Sequence, residues 1–187
     1  MQSKKYARSR HEYLQLDYMN RFEQDKRAKA EFIVNTVAKS SHMRDPLDVI
    51  FQVHELNKQM CESLEEIADA LPNRIDRDLC ATAVAMIETQ MPIHRYNEEN
   101  CLFPLLRQHA DEEPELIGII EHSRWEHGAD ECIAVELTEM LEELLASEDP
   151  KNPDMLGYML RGFFEGFRRH VAWENVVLLP LARRCLG

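Results

Sequence analysis

The sequence predicts an all-α protein: an up-down-up-down four-helix bundle over residues 45–187, preceded by a basic N-terminal helical extension over residues 1–44. Three observations lead there. With 6 Gly and 8 Pro in 187 residues, and abundant Leu, Glu, Ala and Met, the composition favours helices over many-stranded sheets. Turn-rich breaks at "LPN" (71–73), "HADEEPE" (109–115) and "SEDPKNPD" (147–154) divide the chain into four segments with helical periodicity. Short connections between helices of roughly 25–35 residues make neighbours antiparallel.

The first helix is expected from Asp45-Pro46, where an acidic N-cap precedes proline at the first helical position. Leu47, Ile50, Phe51, His54, Met60, Cys61 and Leu64 fall roughly on one face of it. The second should run from about Arg74 to His109, the third from Pro114 to Ala146, and the fourth from Pro153 to about Arg184. In the extension, Leu14, Tyr18 and Phe22 are spaced by four, as are Ile33 and Val37, so it could pack on the bundle, a second copy or another protein.

Composition also narrows the function. The net charge is −12, but residues 1–44 hold ten Lys/Arg against five Asp/Glu (+5), which leaves −17 on the remainder. An acidic body disfavours nucleic acid, because phosphate binding needs Lys and Arg. No apolar run reaches the ~18 residues of a membrane span, and the first residues lack a signal-peptide core, so a cytoplasmic protein is expected. Five cysteines (61, 80, 101, 132, 185) contain no C-x-x-C pair and read as small buried hydrophobes in a reducing compartment.

The chemistry lies in an internal repeat. "HRYNEENCLFPLL" (94–106) and "HVAWENVVLLPLA" (170–182) align His94 with His170, Glu98 with Glu174, and Pro104 with Pro180: H-x3-E-x5-P, then Leu. Residues i and i+4 share a helix face, so each His can aim with its Glu at one point in the bundle. Each half also carries an earlier histidine, His54 and His122. Four imidazoles and two carboxylates buried together are costly without a countercharge, and a metal pair sharing the carboxylates removes that cost. Nitrogen and oxygen ligation favours iron or manganese over structural zinc.

Helical register complicates the third helix. At about 1.5 Å per residue, His94 lies roughly 24 Å from the turn near 110, but His122 only about 12 Å from its helix start. A kink at Pro104 or an earlier end to the second helix would absorb the difference. His127 sits nearer in height but about 140° around the helix, and is the reserve to His122. Glu99 competes with Glu98; its counterpart in the second copy is Asn175, so parity selects Glu98. His11, His42 and His109 match no part of the repeat and read as surface or helix-end residues. Trp125 and Trp173 read as core.

These motifs, with His54 and "IIEH" (119–122), resemble the hemerythrin-like HHE cation-binding family over roughly residues 45–185. The resemblance implies a non-heme di-iron centre, oxo- or hydroxo-bridged. His54, His94, His122 and His170 would be ligands, and Glu98 and Glu174 the bridging carboxylates. The oxygen-carrying hemerythrins use five histidines, and Glu126 stands where they have the second one of helix 3. Their fourth-helix carboxylate is an Asp five past the His, whereas Glu174 is four past. The chain therefore looks closer to the bacterial HHE branch, which includes iron–sulfur cluster repair proteins and sensors. It lacks the cysteine-bearing N-terminal segment of the repair proteins. Glu126 supplies a ligand or hydrogen-bonds one; otherwise a position stays open for water, dioxygen, nitric oxide or peroxide. The implied function is binding or sensing of a small oxidant at the metal pair, the alternative a di-iron oxidoreductase or an iron donor for damaged clusters.

Overall fold

A computed structural model describes residues 45–147 and 152–187; the extension with its candidate helix, and His11 and His42, lie outside the described residues. Four rods run antiparallel. The first is α1 (Pro46–Ala70). The second joins α2 (Arg77–Tyr96), a π turn (Asn97–Leu102), α3 (Phe103–Leu106) and a 3-10 turn (Arg107–His109). The third is α4 (Glu115–Ala146), and the fourth joins α5 (Pro153–Trp173), a π turn (Glu174–Leu178) and α6 (Leu179–Leu186). Rods one and two, two and three, three and four, and four and one pack together, which closes the square of an up-down-up-down bundle.

The caps explain the boundaries. The Asp45 carboxylate accepts the Leu47 N–H at 2.9 Å, with Pro46 at the first helical position. The second rod starts at Arg77 rather than Arg74, because Asp76 accepts from Asp78 and Leu79 N–H groups at 3.0 Å. Asn152 accepts from Met155 at 3.1 Å ahead of Pro153. The third rod begins one residue later than expected, with Pro114 as its N-cap.

Buried positions on α4 run Leu116, Ile120, Ser123, His127, Asp130, Ala134, Leu137, Leu141 and Leu144, alternating steps of four and three. That is the seam of a bundle helix. On α1 the same alternation gives Leu47, Ile50, His54, Asn57, Cys61, Leu64 and Ala68. The fourth rod keeps it through Leu156, Leu160, Phe163, Phe167 and His170, then takes two consecutive fours to Glu174 and Leu178. The doubled four marks the π turn: the inserted residue widens the turn and keeps the stripe facing inward.

The apolar interior is two clusters. The larger, around Met60, Leu64, Ile87, Leu137, Leu141, Leu160, Phe163 and Phe167, fills one end. The smaller, from Leu47 and Ile50 through Leu106 and Leu116 to Leu181 and Ala182, fills the other. A belt of buried polar groups separates them: His54, Asn57, His94, Asn97, Glu98, Ser123, His127, Asp130, His170 and Glu174.

Several expected core residues face solvent instead. Phe51 is 58 % exposed, one step around α1 from the Ile50 stripe, and Trp125 is 66 % exposed on the outer side of α4. Trp173 is half-buried and meets the His122 ring edge-on at 4.4 Å. Of the five cysteines, all free, only Cys61 and Cys80 are buried; Cys132 is exposed. No helix among the described residues is long and apolar enough to cross a membrane.

Candidate metal centre

His54, His94, His127 and His170 come one from each rod and turn Nε2 inward toward the carboxylates of Glu98 and Glu174. Glu174 and Glu98 are fully buried, and the four imidazoles are 2–4 % exposed. His170 Nε2 lies 2.8 Å from Glu174 Oε1. His54 and His94 Nε2 each lie 3.4 Å from Glu174 Oε2. Glu98 Oε1 is 3.6 Å from His54 Nε2, and its Oε2 is 3.3 Å from His127 Nε2. Ring centroids of neighbouring imidazoles are 5.2–5.5 Å apart.

Two overlapping groups have donor atoms within 4.8 Å of one another: His94, His127, His170 and Glu174, and His54, His94, Glu98 and Glu174. The Nε2 atoms of His54, His94 and His127, both oxygens of Glu98 and Oε2 of Glu174 are buried without a hydrogen-bond partner. Unpaired polar atoms at such density cost free energy in a protein interior unless something else satisfies them. Nitrogen and carboxylate-oxygen donors converging from four elements suit a hard or borderline cation, so the residues fit the metal their pattern implies.

The electrostatics agree. Burial works against a charge on His54, yet hydrogen bonds to Glu174 and Glu98 push it up to about 9. Burial likewise opposes His170, which Asp130 and Glu174 raise to about 10. His127 is raised against burial by Glu98 and Glu99. His94 is held well below the ordinary range by burial, against the pull of Glu174, with the other three imidazoles adding to the effect. Burial and the charge of Glu174 push Glu98 upward. Burial opposes ionisation of Glu174 too, but His94, His170 and His54 hold it well below the carboxylate range. The site collects positive charge as protons where a cation would supply it.

The structure brings together five of the seven residues expected at the site: His54, His94, Glu98, His170 and Glu174. It does not bring His122 or Glu126 to them. Their side chains are 44 % and 27 % exposed and face each other at 3.7 Å on the outer surface. The third rod contributes His127 instead. His127 lies on the buried seam of α4, whereas His122 is five residues earlier and about 140° around. His127 is also nearer in height, about 20 Å from its helix start against about 24 Å for His94, so most of the register mismatch disappears.

Groups behind the imidazoles were not anticipated. Asp130 holds His170 Nδ1 at 2.7 Å, Asn57 holds His94 at 3.0 Å, and Asn175 holds His54 at 2.9 Å. Glu99, expected only as a rival to Glu98, holds His127 Nδ1 at 3.0 Å. The seam spacing could have exposed Asp130 and Asn57, since both are polar residues at positions where a bundle helix needs apolar ones. Asn175 and Glu99 follow the buried carboxylates Glu174 and Glu98 by one residue, and nothing in the sequence marks that role. His109 sits at the end of the second rod beside Glu112, at 3.5 Å, as a helix-end residue should.

The hemerythrin HHE cation-binding domain model matches residues 45–182. No significant match was found among curated proteins or solved structures. The matched span begins one residue before α1 and ends within α6, so it reaches all four rods and contains every residue of the cluster. The chain belongs to the hemerythrin HHE cation-binding domain family.

Proposed function

We propose that the cluster holds two iron ions and that the protein binds or senses a small oxidant there: dioxygen, nitric oxide or peroxide. The observation that carries this is the pair of overlapping donor groups sharing His94 and Glu174, because one cation would leave donors of the other group unsatisfied. His127 and His170 would serve one ion and His54 the other, while Glu98 and Glu174 lie between them. A pair of iron ions supplies reducing electrons and a coordination position for the oxidant. The chain's residues do the rest: Asp130, Glu99, Asn57 and Asn175 fix the imidazole orientations. The apolar clusters on either side limit water around the ions. Five free cysteines support a reducing, cytoplasmic setting.

The test is iron content of freshly purified protein, with absorption spectra under air, after reduction and with nitric oxide. About two irons per chain, with near-ultraviolet absorption that responds to both treatments, is the expected outcome. Less than one iron per chain, with stability unchanged by chelation, would remove the proposal. A second reading, turnover of peroxide or nitric oxide or iron donation to damaged clusters, draws on the same donor set. Peroxide decay and anaerobic nitric oxide consumption above that of free iron would favour the oxidoreductase, and iron transfer to a cluster-depleted acceptor the donor.

A further inference from the structure

The partners behind the four imidazoles are of two kinds. His54 and His94 lean on neutral carboxamides, Asn175 at 2.9 Å and Asn57 at 3.0 Å. His127 and His170 lean on carboxylates, Glu99 at 3.0 Å and Asp130 at 2.7 Å. The two kinds do not alternate. Both carboxylate-backed rings belong to the group His94, His127, His170 and Glu174, whereas His54, His94, Glu98 and Glu174 contain only amide-backed rings.

We propose that Asp130, with Glu99 in a lesser part, makes the two cation positions unequal, so that the position bounded by His127 and His170 fills before the one bounded by His54. This rests on the two-ion reading above. A carboxylate that accepts an imidazole Nδ1–H does two things: it fixes the ring with Nε2 free to bind, and it raises the basicity of that nitrogen. The Asn175 oxygen does the first for His54 and little of the second, and Asn57 meets His94 Nδ1 through its amide nitrogen, which adds no basicity to that ring. The favoured position also gathers three imidazoles against two. Glu98 and Glu174 do not reverse the order, because each approaches rings of both groups.

The two carboxylates should not weigh equally. Asp130 is 5 % exposed, and its charge acts across a poorly screened interior. Glu99 lies at the surface edge, where Arg95 Nε at 3.0 Å and Arg124 Nε at 3.4 Å share its charge. Asp130 is a positioning residue acting through His170, and Glu99 a weaker one acting through His127.

The test is anaerobic calorimetric titration of the metal-free full chain with Fe(II), with Mössbauer spectra of samples given one equivalent of 57Fe(II). Wild type should bind in two resolved steps and show a single quadrupole doublet at one equivalent. Asp130→Asn keeps the size and an accepting oxygen but removes the charge. It should weaken the first step about ten- to hundredfold and the second by less than about threefold, bringing both doublets into the one-equivalent spectrum. Asp130→Glu should restore part of the difference, Glu99→Gln should show a smaller loss of the first step, and Asn175→Ala should weaken only the second. If Asp130→Asn fails to fold by circular dichroism, Glu99→Gln, nearer solvent, must still lower the first step selectively. Two ions entering wild type in one step with both doublets present at one equivalent, or a first step indifferent to both Asp130→Asn and Glu99→Gln, would overturn the ordering alone. Uptake of fewer than two ions overturns the two-ion reading and the ordering with it.

Discussion

The amide N–H of Phe103 donates to the carbonyl of Glu98, five residues back rather than four. Leu179 and Glu174 repeat the relationship in the fourth rod. Each buried carboxylate thus lies at the start of a π turn, Glu174 as its first residue and Glu98 as its second, and each π turn runs directly into a helix with proline in its first turn. Proline lacks the N–H that a continuous α-helix would use, and its ring crowds the carbonyl four residues back. The wider turn removes that conflict and keeps the stripe from His94 through Glu98 and Leu102 to Leu106 facing inward.

Pro104→Ala should therefore relax the second rod toward a regular α-helix. The expected result is unchanged helicity, equal or higher thermal stability of the metal-free protein, and iron affinity lowered several-fold. Circular dichroism, scanning calorimetry and metal titration read the three quantities. Lower metal-free stability with unchanged affinity would make the proline a purely structural residue.

His127→Ala and His122→Ala separate the two third-helix histidines. Removing His127 should reduce retained iron by at least one ion per chain after desalting, measured by elemental analysis. Removing His122 should leave iron content unchanged and alter only the environment of Trp173, visible in its fluorescence.

Metal removal should cost stability. An ion present at 100 times its dissociation constant adds about 2.7 kcal/mol to the folded state. At this chain length about 1 kcal/mol moves the melting point by roughly 2–4 °C, so chelation should lower it by about 5–10 °C for each ion removed. Glu98→Gln should reduce the difference between chelated and loaded samples by about half, because the group His94, His127, His170 and Glu174 keeps its donors. A difference as large as that of wild type would count against Glu98.

The thiols offer a check away from the site. Burial pushes Cys61 up to about 12 and also raises Cys80. Ellman's reagent should label exposed Cys132 quickly in the native protein and reach Cys61 and Cys80 only on unfolding. Above the ordinary thiol range the unfolded chain releases protons that folded Cys61 keeps. Stability should therefore fall as pH rises from about 9 toward 12, with little contribution from this group below pH 8.

The four rods, the Asp45-Pro46 cap and five cluster residues could be read in advance because each depends on local spacing. Capping residues precede prolines, and H-x3-E puts two side chains on one face whatever the tertiary fold. The third helix resisted because "EHSRWEH" offers two histidines, and choosing between them needs the orientation of the whole rod. That orientation is set by apolar residues far along it, from Leu116 to Leu144. The exposed Trp125 and Phe51 failed for the same reason: large apolar side chains suggest burial, but one helical step separates the seam from the surface. Asn175 and Glu99 were out of reach because their partners, His54 and His127, lie 121 and 28 residues away in the chain.

The polar belt divides the interior into unequal compartments, and this gives the molecule a built-in line of partial unfolding. The smaller compartment holds fewer apolar side chains and is built from the starts of the first and third rods and from the π turns and ends of the second and fourth. In the metal-free protein it should open as a unit at lower free energy than the larger one, with Leu106 and Leu181 amides exchanging hydrogen faster than those of Leu141 and Leu160. Ions bound across the belt, as proposed above, would join both compartments into one cooperative block and close that gap. Such an ion would need no permanent tunnel: it would enter through the brief loosening of this end of the bundle, and its binding would shut the route behind it.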